Sequence, residues 1–438
     1  MKFVTSRFVI TALFISGASG IASYRAHSAK ASAPSASRRV DAEIRDKDIA
    51  FYLARAERDP TGAFDLAQLA KLYSDRARET GSYQDVLRAE EVARKSLAHR
   101  TSHNDRALQL LATSLLSQHR FAEARDAART LLARDSARVS YRAMLAEIEM
   151  ELGDYDSARV RFASLNGERT NLSVAPRLAR WIEIEGSPEQ SRRLLDNGLT
   201  QALDRQDLPR EQIAWYWLRL GDVKLRTGKA GDAATAYHEG LEAAPDDYRL
   251  LAALAHLELV RGKPSRAIEY GERAIAILPD PGTLGLLSDA YAATGDSAKS
   301  ADYAKTLEVV VAGQPGAYHR AWSLFLLDHD RRTAEVLAKT QNELTTRKDI
   351  YGYDLLAWAL HKQGRDAEAA TAMTNALSQH TKDAMLYYHA GMIERSLGRQ
   401  REAYWYLSHA LSTNPYFHPT QPTIARATLD SLAKALKQ

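Results

Sequence analysis

Apolar residues recur in this chain at i, i+3, i+4 and i+7 within helix-length segments, and the segments come in pairs. A small residue, usually alanine, marks nearly the same place in each pair: Ala124, Ala158, Ser191, Ala233, Ala267, Ser300, Ala334, Ala369 and Ala403, about 34 positions apart over most of the chain. Two helices cross closely only where the side chains between them are small, so the pattern predicts antiparallel helix hairpins, each packing on its neighbours. The fold class is all-α: a right-handed α-solenoid of stacked antiparallel helix pairs, about nine to ten repeats between residues 46 and 415.

Aligned on their turn glycine, the clearest units share a signature. From Ala214 to Asp247, Trp217, Leu220, Gly221 and Lys224 occupy a first helix, Gly228 the turn, and Ala233, Tyr237 and Gly240 a second helix, closed by Pro245. The next unit has Leu251, Leu254, Ala255, Gly262, Ala267, Gly271, Ala274 and Pro279, and a later one Tyr387, Ala390, Gly391, Gly398, Ala403, Leu407, Ala410 and Pro415. These residues resemble the tetratricopeptide repeat, which implies a superhelix whose concave face is lined by the first helix of each unit.

The register breaks in places. The step from Ser191 to Ala233 is lengthened by about eight residues, an insertion at 200–212 that divides N-terminal repeats at 46–199 from C-terminal repeats at 213–415. Near Pro315, Trp322 stands where a small residue is expected, unless the register slips and Ala321 takes the place. Residues 416–438 read as a capping helix (Thr423 to Lys437) over the last unit, and Asp46 to Asp59 as a half-unit at the other end, because an open solenoid end exposes core-like surface.

Lys2 and Arg7 precede the apolar run Phe8 to Ile15 and a small-residue stretch to Ala22, the pattern of a secretory signal peptide over 1–22. An inner-membrane anchor formed by residues 8–22 is the alternative, although that run is shorter than a bilayer span. Residues 23–45 include a Ser/Ala/Pro stretch without apolar periodicity and read as a flexible linker. The expected location is periplasmic or secreted.

Net charge is +4, two of which sit on Lys2 and Arg7, so the basic balance is diffuse and argues against nucleic acid as a partner. The chain has no cysteine, which removes disulfides, thiolate metal sites and thiol catalysis. No HExxH, GxSxG, GxxxxGK[ST] or GxGxxG occurs, and repeats leave no room for a separate catalytic domain, so the chain reads as a non-enzyme with neither cofactor nor metal. His99 and His103 have helical ligand spacing but sit at a corner without a carboxylate in register. Catalysis would need Asp354 and His361, seven apart on one helix, to be coupled.

The concave positions that the resemblance assigns give Arg106, Gln109 and Thr113 early in the chain. They continue with Trp215, Asp222, Arg249, His256, His319, Ser323, Tyr351, Asp354, Trp358, His361, Tyr388, Met392 and Arg395. Trp215, Asp222, Arg249, His256, His319, Tyr351, Asp354, Trp358, His361, Tyr388, Met392 and Arg395 are the candidate partner-binding residues, since exposed rings beside Arg and His bury area at little entropic cost. The family's carboxylate clamp is absent: the ninth positions carry Thr113, Glu147, Asp222, His256, Asp289, Ser323, Trp358 and Met392. The expected function is a non-enzymatic repeat scaffold mediating protein–protein interaction in the bacterial cell envelope, binding an extended peptide or partner helix in the groove. The alternative is a polysaccharide or small-ligand module of an envelope assembly or export system.

Overall fold

The computed structural model describes residues 35–314 and 320–436, which contain twenty-two α-helices, one short 3-10 turn and, among the described residues, no strand. The proposed signal segment and His319 lie outside the described residues. The helices form ten hairpins between two single helices. The opening helix is α1 (Ser35–Arg58). The pairs are α2 (Ala63–Thr80) with α3 (Tyr83–His99), α4 (Asp105–Ser117) with α5 (Phe121–Arg134), α6 (Val139–Leu152) with α7 (Tyr155–Ala163), and α8 (Ala175–Ile184) with α9 (Pro188–Leu203). They continue as α10 (Arg210–Arg226) with α11 (Ala230–Ala243), α12 (Tyr248–Val260) with α13 (Pro264–Ile277), and α14 (Pro281–Ala293) with α15 (Ser297–Ala312). The last are α16 (Arg320–Asp328) with α17 (Thr333–Glu343), α18 (Ile350–Lys362) with α19 (Asp366–Ala376), and α20 (Ala384–Ser396) with α21 (Gln400–Thr413), closed by α22 (Gln421–Ala435).

The helix crossings explain the small-residue period. Ala124, Ala158, Ser191, Ala233, Ala267, Ala369 and Ala403 are all fully buried. At Gly221 a Cβ would stand 2.2 Å from the ring of Tyr237, so the partner tyrosine occupies the space that any side chain would take. Burying a leucine such as Leu195 or Leu220 in these seams stabilises the stack by about 1.5–3 kcal/mol each. The period weakens at two neighbouring units: Ser300 is only half-buried, and Ala334 is exposed, with Val336, Leu337 and Thr340 carrying the buried face of α17 instead. Trp322 is itself core, stacked on Phe325 at 5.9 Å, while Ala321 is exposed, so no one-residue slip occurs.

A single helix lies at each end of the stack. Ile49 of α1 joins the first core cluster, and Ala425 and Leu432 of α22 join the last. Helix α1 reaches back to Ser35, inside the stretch that composition suggests is linker, because Ala42, Glu43, Arg45 and Lys47 are good helix formers with no glycine or proline between them. In the 200–212 insertion, α9 runs on to Leu203 and α10 begins at Arg210.

Successive superhelical turns touch. The hairpin turns of the first half dock on inter-repeat loops of the second half, about 195 residues further on. The Lys348 N–H donates to the Leu152 carbonyl at 2.9 Å, the Ile350 N–H to the Tyr155 hydroxyl at 2.8 Å, and the Thr381 hydroxyl to the Ile184 carbonyl. Arg347 reaches Glu151 at 3.0 Å and lies 4.9 Å over the ring of Phe121. Gly228 meets Pro415 at the same kind of junction. The core follows suit, with Ile350 packed in the cluster of α6 to α10 and Tyr416 against that of α10 to α14. One superhelical turn thus takes just under six units of about 34 residues, and its edges close on those of the next.

Candidate functional site

The closed winding decides what the inner face can offer. In the C-terminal half, the Asp354 carboxylate is fully buried, with one oxygen 2.7 Å from Arg320 and the other 2.6 Å from Nδ1 of His389. Burial alone would raise its pKa, but His389 and Arg320 hold it below the usual carboxylate range. His389 stacks on Trp358 at 4.2 Å, and the Trp358 Nε1–H donates to Asp328, which also meets His418 at 3.5 Å and accepts from Gln421 of α22. Tyr388 is buried against Phe417 at 5.5 Å.

Asp354, Trp358 and Tyr388 are therefore core, a correction to their assignment as groove residues: they join adjacent first helices to one another and to the cap. His361 is half-buried, with its Nδ1 2.6 Å from Asp366 and its ring on Trp358. The Asp354 and His361 pairing that catalysis would require is not formed, since each has a different partner. Met392 packs half-buried against the same cluster, and Arg395 is exposed, 3.5 Å from the Thr428 hydroxyl.

Toward the middle of the bore, Tyr351 lies between two guanidinium groups, Arg180 and Arg320, each 5.2 Å from its ring centroid. Glu183 pairs with Arg226 at 2.5 Å, Arg219 with Asp222 at 2.9 Å, and the Tyr237 hydroxyl donates to Asp222 at 3.0 Å. Burial opposes ionisation of Glu183, yet Arg226, Arg180 and Arg219 together hold its pKa down. Arg249 is tied to Asp247, and Trp215 packs half-buried beside Tyr216. Arg180, Glu183, Arg226 and Arg320 were not legible as inner-face residues, because none sits at the positions the resemblance assigns.

One cavity opens in this belt, about 230 Å³ in volume. Asp222, Arg226 and His256 form its wall from α10 and α12, Arg320 and Met385 face them from the second half, and Tyr416 and Phe417 close it. Of the candidate residues, only Asp222 and His256 line it. His256 is pushed down to about 4, first by burial and then by the nearby His418, with Asp222 opposing. Its folded pKa lies below the ordinary value near 6.5, so between those values the unfolded chain binds a proton that the folded chain does not. Stability is therefore full above pH 6.5 and falls as pH drops toward 4. His256→Gln is expected to remove that slope in thermal melts across this window; an unchanged slope would place the acid sensitivity elsewhere.

Among the described residues, no group of three or more His, Asp or Glu side chains is placed to hold a metal ion, and no helix is long and apolar enough to cross a membrane.

The helix hairpins, stacked unit on unit, define an all-α solenoid. A family model described as tetratricopeptide repeat matches residues 110–164 and 218–280, so those two stretches of the solenoid carry tetratricopeptide repeats. Such repeats typically form protein–protein interaction scaffolds and are generally non-catalytic. Among solved structures, the chain is similar to the APC/C hetero-tetramer Cut9-Hcn1, with 13% identity, 90% of this chain and 95% of that chain covered, and a TM-score of 0.34. It is also similar to PilW, a widely conserved type IV pilus biogenesis factor, with 18% identity, 48% and 94% covered, and a TM-score of 0.39. MamA protein gives 18%, 38% and 87%, and 0.30. No curated protein matches the chain.

Proposed function

We propose that the protein is a non-enzymatic scaffold of the bacterial cell envelope that takes a short segment of a partner protein into the bore, at the cavity between α10, α12 and the 383–417 edge. The observation that carries this reading is the cavity itself. Its wall combines Arg226, Arg320, Asp222 and Asn414, which can bond a peptide backbone or a polar side chain, with Tyr237, Met385, Tyr416 and Phe417, which bury apolar area. An extended peptide along the whole inner face is disfavoured, since Trp358 and Tyr388 are already packed. The bound segment is short, about one large side chain deep.

A photo-reactive phenylalanine analogue at Met385 is expected to capture a discrete partner adduct in cells, while the same analogue at the exposed position Val160, which does not line the cavity, gives none. Filling the cavity by Ala253→Trp should abolish the adduct. Equal labelling from both positions would rule out the bore as the binding place. Envelope residence rests on the N-terminal charge and apolar pattern, and it predicts that mass spectrometry of protein from envelope fractions finds residues 1–22 removed. Cytosolic protein retaining Met1 to Ala22 would refute export.

A further inference from the structure

Two neighbouring inter-repeat connections stand side by side and build a second recess. The second-to-first-helix connections Ala244–Asp247 and Leu278–Asp280 are short, whereas α7 to α8 is joined through the turn Asn166–Glu168 and the stretch up to Val174. The next connection runs from Asp204 to Pro209. Between them lies a concavity of about 690 Å³, the larger of the two described here, lined by Thr170, Asn171, Ser173, Gln201, Asp204, Arg205 and Gln212, with Leu172 as its apolar member.

The chemistry of this lining is narrow. Among the described residues, the side chains of Thr170, Gln201, Asp204 and Gln212 make no hydrogen bond or ion pair. Asn171 uses its amide oxygen to cap the Ser173 N–H and hydroxyl, leaving its amide nitrogen as a donor. Arg205 donates two hydrogen bonds to Asp207, a carboxylate that offsets its charge. The Asp204 carboxylate would repel phosphate or sulfate, and the recess has no ring for a nucleobase to stack on. A lone free carboxylate is too few ligands for calcium or magnesium. What remains is a set of amide donors, amide acceptors, hydroxyls and one carboxylate, the complement of vicinal hydroxyls that each donate and accept.

We infer that this recess binds a neutral, hydroxyl-rich ligand of oligosaccharide class, independently of the bore cavity. Gln201 and Gln212 grip it from α9 and α10, Asp204 and Asn171 hold hydroxyl pairs, and Leu172 meets a carbon face of the sugar. The volume falls within the range of small-ligand sites, about 300–1,000 Å³.

The test titrates the full chain with neutral trisaccharides of glucose, mannose, galactose and N-acetylglucosamine, and with trigalacturonate as the acidic counterpart, by calorimetry and ligand-observed NMR. Saturable binding of at least one neutral trisaccharide below about 10 mM is expected. The double variant Gln201→Ala/Gln212→Ala should weaken it on the order of tenfold or more with an unchanged melting temperature, these side chains being partly exposed and free of partners. Ala253→Trp, in the bore, should leave sugar binding intact, which separates this site from the peptide reading. Absence of neutral binding, preference for trigalacturonate, or equal affinity in the double variant would each overturn the assignment.

Discussion

Gly153→Ala is expected to part the two superhelical turns that meet at Leu152 and Lys348, whereas Gly262→Ala is not. Both glycines occupy the same hairpin turn with positive φ, +79° and +73°, so both variants incur the left-handed strain of about 1–2 kcal/mol. Around Gly262 nothing lies within 4 Å of the added Cβ. At Gly153 it would stand 2.2 Å from the Lys348 carbonyl oxygen and 2.7 Å from the Asp349 nitrogen, backbone atoms that cannot turn aside. Relief requires moving the 344–350 loop, which breaks the Lys348 to Leu152 bond and disturbs Arg347 with Glu151 and Ile350 with Tyr155. The added cost is about 3 kcal/mol, at the upper end of overpacking effects. Small-angle scattering should give a larger radius of gyration for Gly153→Ala alone, together with a lower melting temperature than Gly262→Ala. Matching radii and melting temperatures in the two variants would sink the idea of closed turns.

Asp354→Ala should detach the C-terminal units as a block. The substitution leaves Arg320 and His389 without their shared carboxylate, and removing one member of a buried pair costs on the order of 3–5 kcal/mol. Because solenoid stability is a sum over neighbouring interfaces, the loss appears as an early transition of residues 320–436, read through Trp322 and Trp358 fluorescence, and not as a uniform shift. Asp366→Ala, which removes the less buried contact to His361, should cost about 1 kcal/mol or less. Asp354 has a folded pKa below its unfolded value, so its stabilisation is present above the usual carboxylate pKa near 3.9 and is lost only as pH falls further. Equal melts for the two alanine variants would show that the buried cluster contributes nothing special.

The repeat was legible because it is local. Ala124, Ala158, Ala233 and Ala403 report a helix crossing that any sequence of this period must make, and both end helices follow from the need to cover a bare face. The inner face was less legible because it depends on pitch. Position within a unit places Trp358 and Tyr388 on the first helix, but whether that side is open or packed is set by small rotations accumulated over many units. Gly153 and Gly186, which touch backbone of the next turn, look in sequence like Gly262, Gly295, Gly364 and Gly398, whose added Cβ would meet nothing. Ala334 shows a different limit: two short helices, α16 and α17, bury large residues at shifted positions, and composition alone cannot signal the shift.

The stitched edges also set a clock on folding. Glu151 meets Arg347 196 residues later, so at a synthesis rate of about 5–20 residues per second its unit waits about 10–40 s for its partner. Over that interval the nascent first half is an unsealed ribbon, with the hairpin turns at Gly153 and Gly186 bare, and it folds unit by unit as local contacts allow. Sealing comes afterwards as one late event of high contact order, which makes the half-made chain, not the finished one, the form most in need of a chaperone.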